Sequence, residues 1–153
     1  MTLRERIIIN LYFPNFKSPS SSRFESLFIS LNKIDEYKEN NFISYLILPE
    51  QIIQGKDKRT SLLIKNIPKY VKKREIRNMI EKFGNINYLI LIDDENNQNF
   101  SIAYLNVINY RTIVPIYMGL RKHTFQYLNK IIPIEILYSK IQGKDALKNY
   151  FSK

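Results

Sequence analysis

Two apolar stretches, residues 62–67 and 100–107, constrain the fold of this 153-residue chain more than any other feature. In both, the apolar side chains recur with the period of two that is typical of a β-strand. The segment after the first stretch places Ile76, Met79, Ile80 and Phe83 on one helical stripe, which Gly84 ends. The pattern therefore predicts helices that alternate with strands and pack against a sheet.

The remaining segments complete one order of elements. Strands are predicted at residues 61–67, 86–92, 100–107 and 133–139, and helices at residues 71–83 and 110–120. Pro115 falls inside the second helix, which it should weaken or kink. The order strand-helix-strand-strand-helix-strand is typical of the α+β ferredoxin-like sandwich, in which both helices cover one face of a four-stranded antiparallel sheet.

Alternation along the strands assigns a side of the sheet to each residue. One set should pack under the helices: Leu62, Ile64, Ala103, Leu105, Val107, Ile134, Ile136 and Tyr138. The other set shares the open face and includes four aliphatic side chains, Leu63, Ile90, Ile102 and Leu137. So large an apolar surface is expected to be covered by a ligand, by a protein partner or by the chain itself.

The two central strands also resemble the hexamer and octamer segments of RNA-recognition domains. The octamer usually begins with Lys or Arg and has aromatic residues at its third and fifth positions. Here the first position holds Phe100 and the third Ile102, while the fifth holds the aromatic Tyr104. The resemblance predicts an RNA-recognition-motif sandwich on which unpaired bases stack. The predicted RNA-binding residues of the sheet face are Leu63, Lys65, Tyr88, Phe100, Ile102, Tyr104 and Asn106.

The charge of +10 is unevenly distributed. The first 55 residues carry six basic and six acidic side chains, so the whole excess falls on the remaining 98. Such density favours phosphate binding through counterion release, and a solvated helix face is the alternative. The predicted phosphate-binding residues are Lys56, Lys58, Arg59, Lys69, Lys72, Lys73, Lys140 and Lys144.

The same division predicts two regions. Residues 1–55 form an N-terminal extension, partly docked or flexible, with short apolar runs at 7–13, 26–31 and 42–48. Residues 56–153 form the RNA-recognition-motif domain and its C-terminal helix. That helix is predicted from Leu147, Tyr150 and Phe151 at helical spacing. We expect it to lie across the aliphatic part of the sheet as a displaceable lid that gates RNA.

Composition excludes several other classes of protein. There is no cysteine and only one histidine, His123, so no disulfide, metal centre or other cofactor is expected. The acidic run 93–95 is expected to be a solvated turn, and no nucleophile has an evident base partner, so no enzyme and no small-molecule substrate are expected. No apolar run is long enough for a membrane helix or a signal peptide. The expected location is intracellular, in the nucleus, the cytoplasm or both.

Several longer segments between residues 55 and 144 are similar to the sequences of one protein family. They are the run 55–68, residues 99–106, the run 113–117 with Pro115, and the segment 138–144, with Phe125 at the family's spacing from Gln142. Together they resemble the C-terminal RNA-recognition domain of the mei-two-like family of meiosis-regulating RNA-binding proteins. The resemblance implies binding of single-stranded RNA and a regulatory role in gene expression or development. The alternative function is a protein–protein adaptor that uses the aliphatic sheet face.

Overall fold

Residues 41–152 are described by the computed structural model of this chain, with their side chains from residue 43 onward. The predicted apolar runs at 7–13 and 26–31 lie outside these residues. The elements in chain order are α1 (Asn41–Ser44), α2 (Pro49–Ile53), β1 (Ser61–Pro68), α3 (Lys73–Glu81), β2 (Tyr88–Asp93), β3 (Phe100–Asn106), a 3-10 turn (Tyr110–Thr112), α4 (Ile113–Leu120), β4 (Thr124–Tyr127), β5 (Lys130–Pro133), β6 (Glu135–Tyr138) and α5 (Lys144–Phe151).

The main sheet has four antiparallel strands in the order β2-β3-β1-β6. Helices α3 and α4 pack on one of its faces through buried residues such as Ile76, Ile80 and Ile116. The eight residues predicted to lie under the helices are all buried, none more than 8% exposed. The ferredoxin-like α+β fold is therefore confirmed, together with its assignment of the buried face.

The helix predicted at residues 110–120, which Pro115 was expected to weaken or kink, is not one continuous α-helix. The predicted helix is divided into the 3-10 turn and α4, which begins at Ile113. Pro115 therefore stands in the first turn of α4, where backbone N–H groups have no partner within the helix to lose. Ile113, Ile116, Tyr117 and Leu120 are buried on the side of the sheet.

The hairpin formed by β4 and β5 was not predicted. Its two turn residues, Leu128 and Asn129, have φ angles of 49° and 64°. Positive φ at both central residues is typical of a type I′ turn, which usually carries Asn-Gly or Asp-Gly. Leucine at the first position gives no such signal. The hairpin nonetheless contributes to the core through Phe125, which is 8% exposed.

The segment before β1 also belongs to the folded unit, which begins at Tyr45. Leu46, Ile47 and Ile52 are buried. The Tyr45 carbonyl accepts a hydrogen bond of 2.8 Å from the N–H of Tyr138 on the edge strand β6. The segment thus occupies an edge position that would otherwise offer an unpaired donor. The unit starts upstream of the boundary predicted between residues 55 and 56.

Candidate nucleic-acid interface

One row of side chains crosses the open face of the sheet at its centre. In register, Ile90 on β2 lies beside Tyr104 on β3, Tyr104 beside Leu63 on β1, and Leu63 beside Leu137 on β6. Tyr104 is the aromatic member of this row. Its side chain is half-buried, and burial raises the pKa of its phenol, with smaller contributions from nearby Tyr150, Asp94 and Glu95. The hydroxyl is therefore neutral at physiological pH.

Helix α5 lies on this open face, as the amphipathic pattern predicted. The centroids of the Phe151 and Tyr104 rings are 4.9 Å apart, with ring planes tilted by 52°. The edge of the Tyr150 ring meets Phe151 at the same centroid distance and an interplanar angle of 84°. Leu147, one turn earlier, is completely buried and lies outside the core cluster between sheet and helices. The helix therefore builds a second apolar layer on the sheet.

Gln142 fixes the start of α5 to the start of β1. Its Oε1 accepts hydrogen bonds from the N–H groups of Thr60 at 3.0 Å and Ser61 at 2.9 Å. Its Nε2 donates to the carbonyls of Ser61 at 2.9 Å and Ser139 at 2.7 Å. The N–H of Gly143 donates to Ser61 Oγ at 2.8 Å. One side-chain amide thus satisfies four backbone groups and sets the direction in which α5 leaves the sheet.

Asn106, at the end of β3, is buried and 4% exposed. Its Oδ1 accepts hydrogen bonds of 2.7 Å from the hydroxyls of Thr60 and Ser61, and its Nδ2 donates to Asn87 Oδ1 at 2.9 Å. The amide therefore joins β3 to the segment that Gln142 also holds. RNA contact by Asn106 stays a prediction, although this conformation uses its amide inside the protein.

Phe100 lies at the other end of β3 and is 8% exposed. Tyr127 of the hairpin covers it, with ring centroids 5.2 Å apart and planes tilted by 51°. The ring nearer to solvent at this end of the sheet is therefore that of Tyr127. Sequence reasoning missed Tyr127 because the hairpin that carries it was not predicted. Leu63, Lys65, Tyr88 and Ile102 are partly exposed on the open face, as the alternation predicts.

The predicted basic residues fall into different surroundings. Arg59 forms an ion pair with Asp57 at 2.7 Å, and its guanidinium lies 3.9 Å from the centre of the Tyr138 ring. Burial alone would raise the pKa of the Asp57 carboxyl, but hydrogen bonds and charge from Arg59 hold it below its usual value. Arg59 is thus engaged within the protein.

The predicted lysines lie at several separate places on the surface. Lys69 lies 4.0 Å from the Asp93 carboxylate, and Lys140 lies 5.9 Å from the Tyr45 ring centre. Lys72 and Lys73 stand at the start of α3, in the helix layer. Lys144 is exposed at the start of α5, on the open-face side. Lys56 and Lys58 are exposed before β1.

The hydroxyl of Tyr138 has no hydrogen-bond partner among residues 41–152, although it is buried beneath Arg59. Burial, with the nearby Asp57 charge, raises the pKa of Tyr138 well above its ordinary value. Within the same residues there is no group of three potential metal ligands among His, Cys, Asp and Glu. The helices of the described region include none long and apolar enough to cross a membrane.

Comparison with known proteins identifies relatives of this domain. The family described as RNA recognition motif 2 matches residues 59–152. Protein MEI2-like 5 of Arabidopsis thaliana is 38% identical over 67% of this chain, and Protein MEI2-like 4 of Oryza sativa subsp. japonica is 31% identical over 90%. The chain spans only 13% and 14% of these two proteins.

Solved structures of RNA recognition motifs are also similar. One is the RRM of Rna15 with bound RNA (GU), which is 12% identical with a TM-score of 0.44 and covers 60% of this chain and 95% of its own. The sequence match extends from Arg59, beside the start of β1, to residue 152, just after the end of α5. From that match, the chain belongs to the RNA recognition motif 2 family, the type of RNA recognition motif found in MEI2-like proteins.

Proposed function

We propose that this domain binds single-stranded RNA on the open face of its sheet and acts in the regulation of gene expression. The observation that carries the proposal is Tyr104, a half-buried aromatic side chain in the central row of that face. It occupies the fifth octamer position, where RNA-recognition domains stack a base. Each stacked base contributes roughly 1 to 3 kcal/mol to the free energy of binding.

Charge supports the same proposal. The excess of basic residues lies in the folded domain, and several lysines are exposed around the face, including Lys144 and Lys148 on α5. A neutral phenol suits stacking on a base, while lysines at the rim suit the phosphates that run beside it. The site offers surface and charge rather than a nucleophile with its base, so we propose a binding module and not an enzyme. The regulatory role rests on the MEI2-like relatives, of which this chain matches a small part.

A second candidate is a protein adaptor, which the aliphatic residues of the face favour. Leu63 and Ile102 replace rings that RNA-recognition domains use for stacking, and Ile90 adds to the partly exposed apolar surface. Such a surface fits an apolar peptide or a partner helix.

A salt titration separates the two candidates. Binding of a fluorescein-labelled single-stranded RNA pool of random sequence should weaken steeply as salt rises. The slope of log affinity against log salt concentration should be roughly −0.7 for each phosphate that the protein contacts. Affinity for an apolar partner should depend far less on salt. Absence of RNA binding at low salt by a folded protein would remove the RNA proposal and leave the adaptor.

A further inference from the structure

We propose, on the basis of the RNA-binding function above, that the last turn of α5 is itself part of the RNA-binding surface. Tyr150 and Phe151 add two rings there beside the Tyr104 ring of the central row. The other members of the central row, Ile90, Leu63 and Leu137, are aliphatic, so this row offers only the ring of Tyr104. The helix adds two more rings beside it, and together they extend the aromatic surface from the centre of the sheet to solvent.

The geometry of the three rings supports this role. Phe151 lies against Tyr104 and Tyr150 against Phe151, each pair with centroids 4.9 Å apart. Tyr150 is 55% exposed although it belongs to an apolar helix face, so much of its ring remains open to a ligand. Aromatic side chains that are exposed in series are the usual platform for successive unpaired bases. Base stacking on Tyr150 requires no movement of α5.

The attachment of α5 argues against a helix that leaves the sheet to admit RNA. Gln142 makes four hydrogen bonds with the backbone of Thr60, Ser61 and Ser139. Leu147 is completely buried. Displacement of α5 would expose the Leu147 side chain to water, while the Gln142 bonds hold the chain directly before the helix against the start of β1. A fixed wall of the binding surface agrees with these contacts better than the displaceable lid expected from sequence.

Charge identifies the ligand of this wall as a nucleic acid strand. Lys144 and Lys148 are exposed on the same helix as the two rings. A strand whose bases stack on aromatic rings places its phosphates along the rim of the stack, where lysines neutralise them. Rings and cations on one short helix therefore match single-stranded RNA.

Fluorescence gives a direct test, because the chain has no tryptophan. The Tyr150→Trp variant carries one indole at the proposed stacking position. Titration with an unlabelled single-stranded RNA pool of random sequence, about ten nucleotides long, should quench its emission while affinity is retained. Met118→Trp places the indole on α4, in the helix layer, and its emission should not respond. Equal quenching of both variants, or of neither, would contradict the proposal.

The second test measures RNA affinity after the same substitution, Phe to Leu, on each side of the sheet. Phe151→Leu should weaken binding of the labelled RNA pool by roughly 5- to 100-fold, whereas Phe83→Leu, after α3, should leave it within about two-fold. If Phe151→Leu is unstable, Tyr150→Leu replaces it in the test, because Tyr150 is exposed and its loss should weaken RNA binding without unfolding the protein. Tighter binding by either α5 variant would make the helix a lid and overturn the proposal.

The outcome also separates this proposal from the one on which it depends. If the wild-type protein binds RNA and Tyr104→Ala weakens it, while the Tyr150 and Phe151 variants bind like the wild type, only the role of α5 fails. If the folded wild-type protein binds no single-stranded RNA, both proposals fail.

Discussion

The Phe151 ring packs on the Tyr104 ring with 4.9 Å between centroids, which joins the last turn of α5 to the centre of β3. Tyr104 therefore has two roles, as a proposed base platform and as the surface on which the helix rests. The sequence alone suggested only the first role. The ring pair indicates that loss of the Tyr104 ring should also lower the stability of the fold.

The first prediction concerns Tyr104. Tyr104→Ala should lower the free energy of unfolding by about 1 to 3 kcal/mol, because the change removes both buried apolar area and an aromatic pair. It should also weaken RNA binding by about 1 to 3 kcal/mol. Tyr104→Phe keeps the ring and should restore both quantities to within about 0.5 kcal/mol. Urea unfolding and fluorescence anisotropy measure them, and an unstable Phe variant would mean that the hydroxyl, not the ring, matters.

The second prediction concerns Gln142. Gln142→Ala should destabilise the fold by about 1 to 3 kcal/mol, because it removes four hydrogen bonds to the backbone of Thr60, Ser61 and Ser139. The isosteric Gln142→Glu should not rescue it, since a carboxylate oxygen would face the carbonyls of Ser61 and Ser139. Gln54→Ala, at an exposed residue after α2, is the matched control and should change stability little. Equal stability of the Gln142 and Gln54 variants would exclude the anchoring role.

The side of a strand or helix on which a residue lies could be predicted from the sequence, because it follows from the spacing of apolar residues along the chain. Ile64 and Ala103 were assigned to the buried face, and Leu63 and Tyr104 to the open face, because the alternation of a strand fixes its sides. The amphipathic pattern of Leu147 and Phe151 likewise predicted α5 and its position on the sheet.

Contacts between residues far apart in the chain could not be predicted in the same way. Gln142 meets Ser61 across 81 positions, and no local pattern announces that pairing. Arg59 carries the same charge as its neighbours, but Asp57 holds it in an ion pair that composition does not distinguish from a free cation. The hairpin escaped prediction because Leu128 occupies a backbone conformation that usually selects glycine or asparagine.

The third prediction uses the Asp57–Arg59 pair, which lowers the pKa of Asp57 below its ordinary 3.8. A lowered folded-state pKa means that the pair stabilises the protein above the ordinary value and that this stabilisation disappears as the pH falls through the folded-state pKa. Asp57→Asn should therefore be less stable than the wild type near neutral pH and equally stable in strong acid. Urea unfolding across that range checks the convergence. A difference between Asp57→Asn and the wild type that stays constant across this pH range would contradict the linkage.

The fourth prediction concerns Gly119 on α4. A Cβ atom there would clash with the Phe83 ring. Gly119→Ala should therefore destabilise the protein by about 1 to 3 kcal/mol despite the better helix propensity of alanine. In a Phe83→Ala background the obstacle is absent, and the same change should stabilise by up to about 1 kcal/mol. A double-mutant cycle in urea measures the difference, and additive effects would show that the ring moves aside without cost.

The last prediction compares two pairs of lysines on opposite sides of the sheet. Lys144 and Lys148 lie on α5 beside the proposed stacking rings, whereas Lys72 and Lys73 stand at the start of α3 in the helix layer. If RNA follows the open face, changing the α5 pair to Gln should flatten the plot of log affinity against log salt by roughly 1.4, or about 0.7 for each phosphate that a lysine no longer neutralises. Changing the α3 pair to Gln removes the same charge from the protein, so it controls for net charge and should change the slope much less.

Titration of the same labelled RNA pool at several salt concentrations measures both slopes. A larger effect of the α3 pair would place the RNA backbone along the helix layer, where the density of basic residues between Lys56 and Arg77 is high, and would remove the argument for a path along α5.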